Sequence, residues 1–213
     1  MLVVVAGGHG KVAMAMHPLL VERGDQVRAL IRDPDQGDEV RATGAEPVYC
    51  DLEEEADVDA AVGTADAIVF AAGAGPGSGA LRKRTMDRDG AVKLINAAES
   101  NGVRRYVMIS AMGAASPPAD GGDVFGEYLR AKAEADQALA RSGLDYTIVR
   151  PGGLTDDPPT GLVSVGASLE AGQVPRADVA AVIAATLIAE NTIGTTFELV
   201  SGETPIDEAI AGL

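Results

Sequence analysis

The segment Tyr128-Leu129-Arg130-Ala131-Lys132 sets a phenol and an ammonium four positions apart, which on a helix brings both to one face. A phenol can hand a proton to a carbonyl oxygen as a hydride reaches the carbonyl carbon. A neighbouring ammonium lowers the phenol's pKa towards working pH, so Lys132 is read as the electrostatic partner of Tyr128. Ser110, after the apolar run Val107-Met108-Ile109, supplies a hydroxyl that can orient the carbonyl. Ser110, Tyr128 and Lys132 are therefore the candidate catalytic residues of a hydride-transfer reaction.

Such a reaction needs a hydride carrier, and the start of the chain has the features of a site for one. Leu2-Val3-Val4-Val5-Ala6 is an apolar run fit for a buried parallel strand. It passes through Gly7-Gly8-His9-Gly10 into a helical pattern that begins at Lys11 and Val12. A β-turn-α unit of this kind aims backbone N–H groups at a diphosphate. The spacing is Gly7-x-x-Gly10-x-x-Ala13 rather than the commoner G-x-G-x-x-G. Gly7 permits the tight turn, Gly10 a close approach of cofactor to backbone, and Ala13 lets the helix lie on the strand. Gly7, Gly8, His9, Gly10, Lys11 and Val12 are thus the predicted diphosphate-binding turn.

The next strand ends at Ile31-Arg32-Asp33-Pro34, with Arg32 about 20 positions past Ala13, where the fingerprint reads the adenosine ribose. A guanidinium pairs bidentately with a 2′-phosphate, so the predicted cofactor is NADP(H). Asp33 could instead accept hydrogen bonds from a 2′-hydroxyl, which leaves NAD open. Asp51 and Leu52 follow the third strand, with Asp51 able to meet the adenine amino group. Ala71, Ala72 and Gly73 open the small-residue run 70–77 after the fourth strand and let the cofactor lie against backbone. Pro151 and Gly152 end the sixth strand and shape a turn over the pocket.

The elements that must position these residues alternate along the chain. Strands are predicted at 2–6, 26–31, 47–49, 67–70, 105–109, 146–149 and 196–200, and helices at 11–23, 35–43, 57–62, 85–101, 127–142 and 177–189. That rhythm predicts an α/β fold, a doubly wound parallel sheet with helices on both faces, in one domain over 1–213. Residues 151–175, rich in Gly, Pro, Thr and Asp, break the rhythm around a short strand at 162–165. They read either as a substrate-side insertion or as an inert surface loop. Segments 74–80, 111–126 and 151–175 would wall the pocket.

Composition narrows the partners. The chain has 213 residues, a net charge of −15 and 46% hydrophobic residues. Its pI near 4.4 and mean hydropathy of +0.11 describe a folding, self-repelling acidic protein. No basic face exists to neutralise nucleic-acid phosphates, so no nucleic acid is expected. The longest apolar segment is too short to span a bilayer, so no membrane is expected either. No Cys/His pattern suggests a metal; the lone Cys50 and the absence of a leader suggest a cytoplasmic protein.

Together these residues resemble the short-chain dehydrogenase/reductase superfamily, in its compact atypical branch. That branch includes NmrA-like proteins, the flavin and biliverdin reductase B type and small proteins described as sugar-nucleotide epimerases. The resemblance covers nearly the whole chain: Gly7-x-x-Gly10-x-x-Ala13, Arg32, Asp51-Leu52, Ser110, Tyr128-x-x-x-Lys132 and Arg150-Pro151-Gly152. It implies that Lys132 also holds the nicotinamide ribose, that Arg150, Pro151 and Gly152 lie beside the nicotinamide, that Ser110 also belongs to the cofactor site, and that the chain is a monomer or homodimer. The leading expectation is an NADPH-dependent reductase of a small carbonyl, quinone or flavin-like acceptor. Its alternatives are a non-catalytic NADP(H) redox sensor and an NAD-dependent sugar-nucleotide epimerase or dehydratase.

Overall fold

The computed structural model describes residues 1–55, 57–75, 77–118 and 123–213. Position 76 of the predicted 70–77 and 74–80 loops, and positions 119–122 of the 111–126 wall, lie outside the described residues. Seven parallel strands run in the order β3 (Glu46–Tyr49), β2 (Gln26–Ile31), β1 (Leu2–Ala6), β4 (Ala67–Phe70), β5 (Arg105–Ile109), β6 (Asp145–Pro151) and β10 (Thr195–Ser201). The order reverses between β1 and β4, the place where a doubly wound sheet opens a crevice for a ligand. This is the expected Rossmann-type architecture.

Alternation along each strand builds the two sides of the core. Val3 and Val5 face one way with Ala29, Ile31, Val69 and Val107, while Val4 and Ala6 face the other with Leu30, Phe70 and Met108. Helices α1 (Lys11–Glu22) and α7 (Arg176–Thr186) cover the first face. Helices α5 (Ala91–Asn101) and α6 (Val124–Arg141) supply Leu94, Ile95, Ala135 and Leu139 to the second. Strands with both faces buried read as near-continuous apolar runs, which is why β1, β2, β4 and β5 carry their predicted boundaries. Smaller helices α2 (Gly37–Ala42), α3 (Asp59–Val62) and α4 (Ala80–Arg82) fill the connections. Arg105 anchors the end of α7 by donating to the Thr186 carbonyl at 2.6 Å and the Leu187 carbonyl at 3.2 Å, a cation on a helix C-terminus.

Three features depart from the expectation. Helix α4 continues as a π-helix over Lys83–Gly90 before α5, so the predicted 85–101 helix begins earlier and winds wider. The insertion 151–175 contains the short strand expected at 162–165, and two further strands that were not expected. Its residues form β7 (Gly153–Thr155) and β9 (Gln173–Pro175), which pair with each other, and β8 (Leu162–Gly166), which joins the main sheet antiparallel to β10. The chain then ends with β11 (Thr204–Pro205), antiparallel to β8, and helix α8 (Ile206–Ala211). The sheet is therefore mostly rather than wholly parallel, because a strand returning on the open edge next to β10 needs no crossover helix. Among the described residues no helix is long and apolar enough to cross a membrane.

His17 on α1 is fully buried, with Nδ1 3.1 Å from the Thr43 hydroxyl and no hydrogen-bond partner at Nε2 among the described residues. Burial holds it neutral, lowering its pKa from 6.5 to about 4. The unfolded chain therefore takes up this proton before the folded one does. Stability is full above pH 6.5 and falls as pH drops towards 4, by at most about 3 kcal/mol from this group. Urea unfolding of wild type and His17→Leu across pH 7 to 4 is expected to show a shallower loss in the variant.

Candidate functional site

The carboxyl ends of β1, β2 and β4 surround a cavity of about 300 Å³. Of the predicted cofactor residues, Gly7, Gly8, His9, Gly10, Arg32, Leu52, Ala71, Ala72 and Gly73 line it. Gly7 adopts φ +74°, and its carbonyl accepts the Gly10 N–H at 2.8 Å, closing the turn ahead of α1. A Cβ on Gly7 would stand 2.6 Å from the Ala72 Cα, and one on Gly8 the same distance from the Ala29 Cβ. Gly10 is different: at the helix start an added Cβ would meet only the Gly7 carbonyl at 3.0 Å and the Ala71 carbonyl at 3.9 Å among the described residues. The first two glycines serve packing, and the third keeps the approach to the α1 amides clear.

Arg32 reaches this cavity and makes no hydrogen bond or ion pair with any described residue. Asp33, its neighbour, caps the turn Pro34–Gln36 by accepting the Asp35 N–H at 3.0 Å. The remaining predicted residues have other occupations. Lys11 donates to Asp156 at 2.5 Å, Val12 is buried in the core, and Asp51 accepts the Glu53 N–H at 2.8 Å. Gly152 is required where it stands, since a Cβ there would lie 2.3 Å from the Gly172 carbonyl, and Pro151 beside it is buried. Cys50, Gln36, Arg82 and Met86 also line the cavity, unanticipated from sequence. Burial raises the Cys50 thiol to about 11, so it lines the wall as a neutral group.

Ser110, Tyr128 and Lys132 converge beyond β4 and β5, as β5 delivers Ser110 and α6 the other two. Lys132 is buried; its Nζ lies 5.9 Å from the Tyr128 ring centroid, 5.4 Å from that of Phe70, and donates to the Ile109 carbonyl at 3.1 Å. Its charge is balanced by Asp87 on the π-helix, 3.3 Å away and fully buried. The other Asp87 oxygen accepts the Ala74 N–H at 3.3 Å, tying the loop after β4 to the same pair. Burial works against the Lys132 charge, yet Tyr128, Asp87 and Asp136 outweigh it and hold its pKa above the ordinary lysine value.

Two expectations are corrected here. Burial raises the Tyr128 pKa, and the pull of Lys132 is offset by Asp87 and Asp136, so the phenol is not lowered towards neutrality. Ser110 does not point a free hydroxyl outwards; it donates to Asp136 at 2.9 Å. Asp136 also accepts Arg150 Nε at 2.9 Å and is buried, which raises its pKa despite both partners. Asp136 was legible in principle, since Tyr128, Lys132 and Asp136 repeat every four residues along one face of α6. Asp87 carries no such local signal.

Comparison with known proteins agrees with this fold. The profile of a family described as NAD(P)H-binding matches residues 7–190. A Bacillus subtilis relative named as the uncharacterized sugar epimerase YhfK is 39% identical, with each chain covered in full. A Bacillus halodurans structure, provisionally named an NAD-dependent epimerase/dehydratase, is 42% identical over the whole of both chains, with a TM-score of 0.94. The oxidoreductase ylbE from Lactococcus lactis is 29% identical over 100% of this chain and 96% of its own, with a TM-score of 0.87.

Removing Asp136 leaves the Arg150 charge with no carboxylate on it in a mostly buried setting. Asp136→Ala is expected to cost about 3–5 kcal/mol in denaturant unfolding, and Asp136→Asn less, because the amide oxygen still accepts from Arg150.

Proposed function

The chain belongs to the NAD(P)H-binding family, a set with the Rossmann-type fold, and from that premise we propose that it is an NADPH-dependent reductase of a small carbonyl, quinone or flavin-like acceptor. The observation that carries the reading is the buried Lys132 charge held beneath the Tyr128 ring beside the ends of β4 and β5. The unpartnered Arg32 in the adenosine-side cavity supports a 2′-phosphate, and the commitment of Asp33 to a turn favours NADP(H) over NAD.

When bound, the nicotinamide would supply a hydride to the acceptor. Tyr128, protonated at neutral pH because burial raises its pKa, donates its phenolic proton to the acceptor oxygen. Lys132 then stabilises the phenolate, its own charge kept in place by Asp87. A phenol that starts protonated suits reduction better than the reverse direction.

A second reading is a non-catalytic NADP(H) sensor. It is favoured by the Ser110 hydroxyl, whose proton is engaged by Asp136 rather than offered to an acceptor. It requires different affinities for NADP+ and NADPH and no turnover with any acceptor. The epimerase reading follows the names of the relatives and requires a tightly retained NAD instead.

With NADPH and a quinone panel, Tyr128→Phe is expected to lower kcat about 100-fold or more while leaving NADPH affinity unchanged. Unchanged kcat removes Tyr128 from the reaction. In fluorescence titrations, Arg32→Ala is expected to weaken NADPH binding by about 10- to 100-fold and NADH binding hardly at all. Equal losses for both would reject the 2′-phosphate contact.

A further inference from the structure

A second hollow, of about 480 Å³, has Tyr128 in its wall and shares no lining residue with the cavity beside Arg32. Gly77, Ser78 and Lys83 form one wall; Val124, Phe125 and Tyr128 form the other. The apolar wall is presented rather than packed, since Phe125 is 61% exposed and Val124 45%. The Phe125 and Tyr128 rings stand 6.0 Å apart at 34°, so a flat ligand could lie along both.

Lys83 gives this surface its chemical character. Its Nζ sits 5.1 Å from the Tyr128 ring centroid and donates to the Gly75 carbonyl at 2.9 Å. The other cations of the same helical run are neutralised: Arg82 by Glu53, Arg84 by Glu127, and Arg88 by Asp89 and Glu134. Lys83 pairs with no carboxylate among the described residues. In a chain of net charge −15, a cation with no acid partner among the described residues, beside an aromatic wall, suits recognition of an anion. Overall repulsion of anions makes a local positive charge more necessary here.

We propose that this hollow is the acceptor site and that it takes a planar aromatic acid: rings against Phe125 and Tyr128, a carboxylate or sulfonate on Lys83. The inference deepens the reductase reading and rests on Tyr128 marking the reaction centre. The ring face would lie on the apolar wall while the acid group approaches Lys83 across it, which places the reducible part of the ligand beside the Tyr128 phenol.

Calorimetric titration with 2-naphthoate and 2-naphthol, with and without NADP+, separates the ring contribution from the charge. Wild type is expected to bind naphthoate about tenfold more tightly than naphthol. Lys83→Gln is expected to abolish that preference with naphthol affinity unchanged, and Phe125→Ala to weaken both ligands about fivefold. NADP+ affinity should stay at the wild-type value in both variants. Equal binding of the two ligands, a preference that survives Lys83→Gln, or no binding of either overturns the proposal. So does a self-association constant that Phe125→Ala abolishes while naphthoate binding stays at wild type, which would make the apolar wall an interface. NADPH oxidation by 1,2-naphthoquinone-4-sulfonate is measured separately. Preferential naphthoate binding without turnover upholds the site and rejects the reductase reading; turnover without the charge preference does the reverse.

Discussion

The burial of the Lys132 charge is the constraint around which the second half of this molecule is arranged. An ammonium taken out of water costs several kcal/mol unless a carboxylate and hydrogen bonds offset the loss. Asp87 supplies the carboxylate from the π-helix, Ile109 the carbonyl from the end of β5, and Phe70 a ring face from β4. Asp87 in turn holds the backbone of Ala74, so the loop after β4 is tied to the same charge. Gly73 belongs to this arrangement too, since a Cβ there would stand 3.2 Å from the Asp87 carboxylate. Beside it a second buried pair, Arg150 with Asp136, reaches Ser110. The π-helix, α6 and the ends of β4, β5 and β6 are thereby tied together near Tyr128.

The crevice divides into two regions of different character. On the β1–β2 side backbone does most of the work: a turn closed by Gly7, a helix start kept open at Gly10, and walls of Ala71 and Ala72. Side-chain charge enters there through Arg32 and through Arg82, which is paired with Glu53. On the β5–β6 side the floor is ionic and buried, and the rim is aromatic and exposed. The strand-order reversal between β1 and β4 sets these regions side by side. A ligand that supplies hydride and one that receives it need that adjacency, because transfer occurs only between atoms in van der Waals contact.

The strands in the middle of the sheet were readable because each is buried on both faces and so is continuously apolar. The glycine turn, the Arg32 position and the small residues after β4 were readable because turn geometry and close backbone approach restrict residue choice. Other features left no mark. A π-helical run uses the same residue types as an α-helix, so Lys83–Gly90 resembles the start of α5. Strands β7 and β9 are three residues each and pair with each other across the chain between them, which alternation over so short a span does not signal. The readings of Lys11 and Asp51 placed both near the cofactor, whereas each side chain already has a partner in Asp156 or a local turn.

Local order in the sequence determined the alternation of elements, the glycine turn after β1 and the shared face of Tyr128 and Lys132, because each depends on residues within a few positions of one another. Only the tertiary structure decided the electrostatic state of that face. Asp87, far along the chain from Lys132, and the carboxylate at Asp136 offset the ammonium that sequence alone would assign to lowering the Tyr128 pKa. Burial then carries the phenol in the opposite direction. Desolvation and long-range charge depend on what surrounds a group in space, and a pattern of neighbours in sequence does not contain that information.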